Sequence, residues 1–128
     1  MDSDKGGGRQ TVKTVLIVDD DKTFTGLLRT VFELEGYQAV VVTSPDDVVQ
    51  RAHQVEPALI VMDVHTGNRD TLPVLRELRT NEMLKSVAVL MVSGLDHSTE
   101  CLAAGADKFM LKPFRPSELL AAAAGLIR

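Results

Sequence analysis

Short apolar runs recur along the chain, and most of them end in a polar residue. Residues 15–18, 59–62 and 87–92 are continuously apolar rather than alternating, which is typical of strands buried on both faces. Two further runs of similar length follow, one at residues 38–42, between the first and second, and one at residues 107–111, after the third. Together the runs predict five strands, at residues 13–18, 38–42, 58–62, 87–92 and 107–111.

The segments between the runs carry apolar residues at helical spacing. Phe24, Leu27, Leu28, Val31 and Phe32 recur at intervals of three and four residues, so we expect them to share one helix face. The segment from 63 to 71 shows neither pattern and is predicted to be an irregular loop. Spacing and capping residues predict five helices, at residues 22–35, 45–56, 72–80, 98–104 and 117–128.

Strands that alternate with helices predict an α/β domain with a parallel sheet and right-handed crossovers. We therefore expect a doubly wound (βα)5 sheet of five strands, covered by helices on both faces. The carboxyl ends of such strands lie along one edge, where ligands bind. One crevice should therefore collect the polar residues that follow four of the strands, which are Asp19-Asp20-Asp21, Asp63, Ser93-Gly94 and Lys112-Pro113.

Several carboxylates in one crevice require a positive charge. Two unit charges about 4 Å apart repel by roughly 1 kcal/mol in water and about 4 kcal/mol at an effective dielectric constant of 20. Mg2+ binds one or two carboxylates together with phosphate oxygens, so it would balance Asp19, Asp20 and Asp63, with Lys112 as a second cation. Such a site suits a phosphoryl group, and a carboxylate can be the nucleophile. Taken alone, each motif is more often a solvated turn or a helix cap. Their joint pattern favours the phosphoryl site.

Composition and charge exclude several classes of protein. The length of 128 residues and the hydrophobic fraction of 45% suit one globular domain. A net charge of -4 argues against a nucleic-acid surface, and no apolar run approaches the roughly 18 residues of a membrane span. A single cysteine, Cys101, favours a reducing cytoplasm. Residues 1–11 are predicted to be a flexible tail before a domain at residues 12–128.

The polar strand ends belong to five longer motifs, which are Val18-Asp19-Asp20, Met62-Asp63, Val92-Ser93-Gly94, Gly105-Ala106-Asp107 and Leu111-Lys112-Pro113-Phe114. This set resembles the receiver domain of two-component response regulators, including single-domain chemotaxis-type regulators. The resemblance covers almost the whole chain. It implies a flavodoxin-like fold with strand order 2-1-3-4-5.

The resemblance also implies that Asp63 accepts a phosphoryl group from a sensor histidine kinase or a phosphotransfer protein. Mg2+ would be held by Asp20 directly, by Asp19 through water, by Asp63 and by the backbone carbonyl of His65. His65 follows Asp63 by two residues, at a position where the family tunes dephosphorylation. We hypothesise that it alters phosphoryl lifetime; the alternative is an exposed loop histidine without a role.

By the same resemblance, Ser93, Gly94 and Lys112 bind the phosphoryl oxygens, and the peptide bond before Pro113 is cis. Phosphorylation would draw Ser93 toward the phosphoryl group and turn the aromatic switch residue, Phe109, inward. The face made by helix four, strand five and helix five would then change its protein partners. The identity of the output partner and the formation of a homodimer stay open at this point.

The chain departs from the family pattern in two places. Thr66-Gly67 and Asp70-Thr71 stand where the family usually has Met-Pro and Asp-Gly, although Gly67 and Asn68 tolerate unusual backbone angles. The interval from Ser93 to Gly105 is about three residues shorter than usual, which predicts a shortened helix four or a shortened loop before it.

Two other functions fit parts of the sequence. A pseudo-receiver would be an interaction module that no longer accepts a phosphoryl group; the intact Asp63 and Lys112 argue against it. Asp19 to Thr23 also resembles the start of haloacid-dehalogenase-type phosphatases, with Asp19 as nucleophile and Asp21 as general acid. No acidic pair follows a later strand to complete such a metal site, and no cap domain is present. Flavin binding is disfavoured, because an acidic first loop would repel the cofactor phosphate.

Overall fold

A five-stranded parallel sheet forms the centre of the protein in this computed structural model, which describes residues 11–127. The strand order is β2-β1-β3-β4-β5 and every neighbouring pair is parallel, so the predicted fold and strand order are confirmed. The strands are β1 (Thr14–Val18), β2 (Gln38–Val42), β3 (Leu59–Asp63), β4 (Ala88–Ser93) and β5 (Lys108–Leu111).

Within residues 11–127, five α-helices connect and cover the strands, and they divide the core into two layers. Alternate strand residues point to opposite faces, so Val15 and Ile17 of β1 pack toward one pair of helices while Leu16 and Val18 pack toward the other three. The first layer contains α1 (Lys22–Leu34) and α5 (Pro116–Leu126), and the second contains α2 (Val48–Val55), α3 (Leu72–Thr80) and α4 (Ser98–Ala103).

Local signals set the helix ends. The side chain of Asp21 accepts a hydrogen bond of 3.1 Å from the backbone N–H of Phe24 and so caps α1. Gly36 follows this helix with φ of 90°, a conformation that glycine adopts without strain. A 3-10 turn, Pro45–Asp47, precedes α2, and α4 has only six residues, in line with the short interval noted in the sequence.

One prediction about local structure is wrong. Residues 63–71 are not an irregular loop, because His65–Thr66 and Arg69–Asp70 pair as a small antiparallel hairpin. Gly67 and Asn68 have φ values of 59° and 61°, and two successive left-handed residues make the tight turn that such a hairpin needs. Leu27 shares the predicted apolar face of α1 but lies at its margin, where it is 52% exposed and lines an open groove beside α5.

The predicted tail at residues 1–11 lies outside the described residues except for Thr11, so the predicted limits of the domain stay a prediction. Within residues 11–127, no helix is both long and apolar enough to cross a membrane.

Arg79, at the end of α3, forms hydrogen bonds to two other segments of the chain. Its guanidinium donates to the backbone carbonyls of Val87 at 2.6 Å and Gly105 at 2.8 Å, and to the carboxylate of Asp107 at 2.9 Å. Gly105 has φ of 111°, and a Cβ atom there would lie 2.8 Å from the Cγ of Arg79. The Gly105-Ala106-Asp107 motif therefore packs against the side chain of Arg79 and accepts two of its hydrogen bonds.

We expect Arg79→Lys to lower the free energy of unfolding by about 2–4 kcal/mol, because lysine cannot reproduce the planar fork and leaves partly buried carbonyls without a donor. Arg76→Lys, on the exposed side of the same helix, is the matched control and should change stability by less than about 0.5 kcal/mol. Urea unfolding of both variants measures the difference. Equal stabilities would show that the hydrogen bonds of Arg79 contribute no net stability.

Candidate functional site

One ammonium group joins the carboxyl ends of three strands. Nζ of Lys112, just after β5, lies 2.5 Å from Oδ2 of Asp63 and 3.0 Å from Oδ2 of Asp19. The side chains are 22%, 13% and 4% exposed, respectively, so this charge cluster is largely withdrawn from water. The parallel sheet brings together residues that are 49 and 93 positions apart in sequence, as the sequence analysis predicted.

The second oxygen of each carboxylate is held by a backbone amide two residues further on. Oδ1 of Asp19 accepts from the N–H of Asp21 at 3.0 Å, and Oδ1 of Asp63 accepts from the N–H of His65 at 2.8 Å. Each carboxylate is thus fixed on one side by its own loop and on the other by Lys112. This arrangement orients both groups before any ligand arrives.

Ser93 and Gly94 lie at the end of the neighbouring strand, β4. Ser93 is 4% exposed, and its hydroxyl accepts a 3.2 Å hydrogen bond from the N–H of Leu95. Its carbonyl accepts from the N–H of Lys112 at 2.8 Å, which ties the ends of β4 and β5 together. The Lys112–Pro113 peptide bond is cis. Phe109, the predicted switch residue, lies on β5 and is partly buried against the second core layer.

Two groups of the cluster, Asp19 and Lys112, have shifted pKa values. Burial raises the pKa of Asp19, and the hydrogen bonds from the Asp21 amide and from Lys112 only partly offset this effect. Burial alone would lower the pKa of Lys112, but hydrogen bonds to Asp63 and Asp19 outweigh it, so the net shift is upward. Lys112 is therefore a fixed positive charge, and Asp19 is a carboxylate whose negative charge is incompletely compensated.

The donor set fits a small divalent cation. Asp20, beside Asp19, is exposed and presents a further carboxylate to solvent at this edge. Within residues 11–127, no three acidic, histidine or cysteine side chains converge as a closed metal site. Mg2+ does not need such a cage, since it usually keeps several waters and takes one or two carboxylates. The incompletely compensated charge of Asp19 is the feature that a cation would balance.

Comparison with known proteins identifies the fold family. The family model for the response regulator receiver domain matches residues 15–124. The chain belongs to this family. As a receiver domain, it is a signalling module rather than a classical enzyme. The resemblance drawn from the five sequence motifs is therefore confirmed.

Two curated relatives illustrate the similarity. The receiver is 30% identical over 119 residues to the alkaline phosphatase synthesis transcriptional regulatory protein PhoP of Bacillus subtilis. It is 31% identical over 116 residues to the aerobic respiration control protein ArcA of Escherichia coli. The alignments cover 91% and 88% of this chain but 49% and 48% of the relatives. The receiver chain thus spans about half the length of these proteins.

Solved structures agree with the family assignment. A putative response regulator from Chloroflexus aurantiacus is 26% identical, with a TM-score of 0.85 over 91% of this chain and 98% of that chain. The chemotaxis protein CheY4 of Vibrio cholerae is 21% identical, with a TM-score of 0.84 over 91% of this chain and 100% of its own. At that identity CheY4 supports the fold alone.

Two threonines stiffen the segment where this receiver departs from the family pattern. The hydroxyl of Thr71 donates to the carbonyl of Asp63 at 2.7 Å, and the hydroxyl of Thr66 lies 3.3 Å from the same carbonyl. Both threonines are 0% exposed. In sequence they looked only like departures from Met-Pro and Asp-Gly, yet they bind the backbone of the predicted phosphoacceptor directly.

Sequence reasoning placed Phe24 on the apolar face of α1 and did not identify it as a residue of the site. Nζ of Lys112 lies 3.9 Å from the centroid of its ring, which places the ammonium over the negative π face. Phe114 meets the edge of the same ring, with centroids 6.0 Å apart at 75°. Helical spacing marks Phe24 as apolar and inward, but it carries no signal for a contact with a residue 88 positions away (112 − 24).

Other candidate residues lie outside the cluster or serve another purpose. The carboxylate of Asp21 caps α1, as described above, so it faces the backbone of its own helix. His53 lies on α2, and its Nε2 is 3.1 Å from the side-chain amide nitrogen of Asn81. Cys101 is buried on α4, and burial raises the pKa of its thiol to about 11, so it is a packed apolar residue rather than a nucleophile.

We expect Asp19→Asn to raise the free energy of unfolding at pH 7 in metal-free buffer by about 1 kcal/mol, because the amide removes the cost of burying the Asp19 charge while Lys112 keeps its pairing with Asp63. Burial raises the pKa of Asp19 in the folded protein, so ionisation of this group costs stability as the pH rises through that pKa. The gain should fade below pH 3.8, the usual pKa of aspartate, where Asp19 is neutral in both states.

Thermal unfolding of the wild type and the variant across this pH range is the measurement. Asp20→Asn is the matched control, because Asp20 is exposed and its loss should change stability by less than about 0.5 kcal/mol. A variant that is less stable than the wild type at pH 7 would contradict the expectation. It would mean that the hydrogen bonds of Asp19 outweigh the cost of burying its charge.

Proposed function

We propose that the chain is a phosphoryl-accepting switch and that Asp63 is the phosphoacceptor. A carboxylate oxygen of Asp63 attacks the phosphorus of a phosphohistidine on a sensor histidine kinase or phosphotransfer protein. The new P–O bond forms as the P–N bond breaks, which leaves an aspartyl phosphate on the receiver. The observation that carries this proposal is the shared ammonium of Lys112, which holds Asp63 and Asp19 together at the carboxyl edge of the sheet.

The residues around Asp63 have separate roles in this proposal. Asp19, Asp20, Asp63 and the backbone carbonyl of His65 would hold Mg2+, which supplies positive charge to the phosphoryl oxygens when bound. Lys112 supplies a second positive charge to the same oxygens. The raised pKa of Lys112 supports this role, because the ammonium stays charged at any physiological pH.

The switch itself involves β4 and β5. The buried hydroxyl of Ser93 would donate to a phosphoryl oxygen, and Gly94, which has no side chain, leaves room beside it. Movement of Ser93 would allow Phe109 to turn inward from its partly buried position. The face of α4, β5 and α5 would then exchange protein partners, one of which could be a second copy of this chain. We place this exchange in the cytoplasm, where the free Cys101 stays reduced.

The phosphatase alternative fits the geometry less well. Its general acid would be Asp21, whose carboxylate accepts the capping hydrogen bond of α1 instead of facing Asp19. Its nucleophile would be Asp19, which is 3% exposed and is hydrogen-bonded on both oxygens. Asp63 is the more open of the two carboxylates that contact Lys112.

Intact mass after incubation with acetyl phosphate, with and without Mg2+, tests the proposal. We expect one phosphoryl adduct on the wild type that requires Mg2+ and disappears in Asp63→Asn. Asp20→Asn should form the adduct at least tenfold more slowly at limiting Mg2+, because it loses a metal ligand. Asp47→Asn is the matched control, since it removes an exposed carboxylate outside the site and should leave adduct formation unchanged.

Two other outcomes would redirect the assignment. An adduct that persists in Asp63→Asn but is lost in Asp19→Asn would favour the phosphatase alternative. No adduct on any form, together with no stabilisation of the wild type by Mg2+, would favour the pseudo-receiver, which binds partners without phosphorylation. Thermal unfolding with and without Mg2+ supplies the second measurement.

A further inference from the structure

Two histidines from different loops meet beside the Asp63 site. His65 belongs to the hairpin that follows β3, and His97 immediately precedes α4, which follows β4. Their ring centroids are 5.6 Å apart, and the planes cross at 66°, an edge-to-face arrangement. The pair therefore bridges the two loops that flank Asp63 and Ser93.

His97 is the more firmly held of the two. Its Nδ1 lies 3.1 Å from Oε2 of Glu100, one turn along in α4. Its carbonyl accepts the N–H of Cys101 at 2.9 Å, so its backbone belongs to the first turn of the helix. Its Nε2 is buried and has no hydrogen-bond partner in the part of the chain that the structure describes. The ring is thus fixed by Glu100 on one side and enclosed on the other.

His65 is exposed, and its backbone is tied to the phosphoacceptor. Its N–H donates to Oδ1 of Asp63 at 2.8 Å. On the other side of the pair, the hydroxyl of Ser93 accepts from the N–H of Leu95, which connects Ser93 to the segment that leads to His97. Asp63 is therefore connected to Ser93 by the contacts of His65, His97 and Leu95 together with the backbone between Leu95 and His97.

We infer that His97, fixed by Glu100, is a positioning residue for His65 and that their contact holds the two loops in the arrangement that the structure shows. The consequence for switching rests on the proposed function. A Ser93 drawn toward a phosphoryl group takes the segment from Leu95 to His97 with it, because the two are hydrogen-bonded. A shift of His97 relative to His65 disturbs the edge-to-face contact of the imidazoles. The contact therefore opposes this movement and weakens the binding of a phosphoryl group or its mimic.

Backbone 15N relaxation of the unphosphorylated protein tests the positioning role without any phosphoryl chemistry. We expect His97→Ala to lower the order parameters of His65 and of the hairpin turn, and Glu100→Ala to do so less strongly. His97→Phe keeps a ring edge but not the bond to Glu100, so it should restore part of the order. His53→Ala removes a histidine from α2 and is the matched control, with no change at the hairpin. Unchanged order parameters in His97→Ala would overturn the inference.

Binding of beryllofluoride with Mg2+, followed by the amide resonances of Ser93 and Gly94, tests the switching consequence. His97→Ala and His65→Ala should each bind this phosphoryl mimic about 2–10-fold more tightly than the wild type, the range expected from losing one edge-to-face contact. The double variant should bind no more tightly than the better single variant, because both remove the same contact. His65→Ala retains the backbone carbonyl and the N–H that serve the site.

The two proposals fail in different ways. A wild type that binds no beryllofluoride contradicts the phosphoryl-switch proposal, while the relaxation data still decide whether His97 positions His65. A wild type that binds beryllofluoride normally, with His97→Ala identical to it, contradicts the switching consequence alone. Additive effects of the two substitutions would show that each histidine acts separately, and this result would also overturn the inference.

Discussion

The arrangement of the functional edge depends on one lysine shared by two carboxylates. Asp19 and Asp63 end neighbouring strands, and without Lys112 their charges would repel across a largely dehydrated gap. A single ammonium cannot balance Asp19, Asp20 and Asp63 together, so the edge retains excess negative charge. The electrostatic repulsion at this edge does not separate the strand ends, because the sheet is packed between two layers of helices. Strands β1, β3 and β4 are almost wholly buried, and this packing holds their ends in place.

The sheet and the convergence of Asp19, Asp63 and Lys112 could be predicted because both follow from the pattern of the chain. Continuous apolar runs mark strands buried on both faces, and a parallel sheet puts all their carboxyl ends on one edge. Helical spacing located α1 correctly, but it gives the direction of a buried face and not its width. Leu27 therefore lies on the predicted face but at its open margin.

The rest of the site depends on contacts that leave no periodic mark in sequence. Phe24 beneath Lys112 and the two threonines on the carbonyl of Asp63 are pairings between distant or irregular segments. Thr66 and Thr71 are instructive, because in sequence they marked only a departure from a family pattern, whereas their two buried hydroxyls bind the backbone of the segment. The hairpin likewise follows from the paired backbone angles of Gly67 and Asn68, which sequence could permit but not require.

The Arg79 anchor has a mechanical consequence for α4. The carboxyl end of this helix leads to Gly105, and Arg79 donates a hydrogen bond to the carbonyl of Gly105. The amino end of the helix begins at His97. A helix of this length spans about 9 Å, so a 1 Å displacement at the His97 end turns it by roughly 6° about the Gly105 end. In these terms α4 is a short lever with its pivot on α3. A partner resting on its exposed side would sense a tilt rather than a translation.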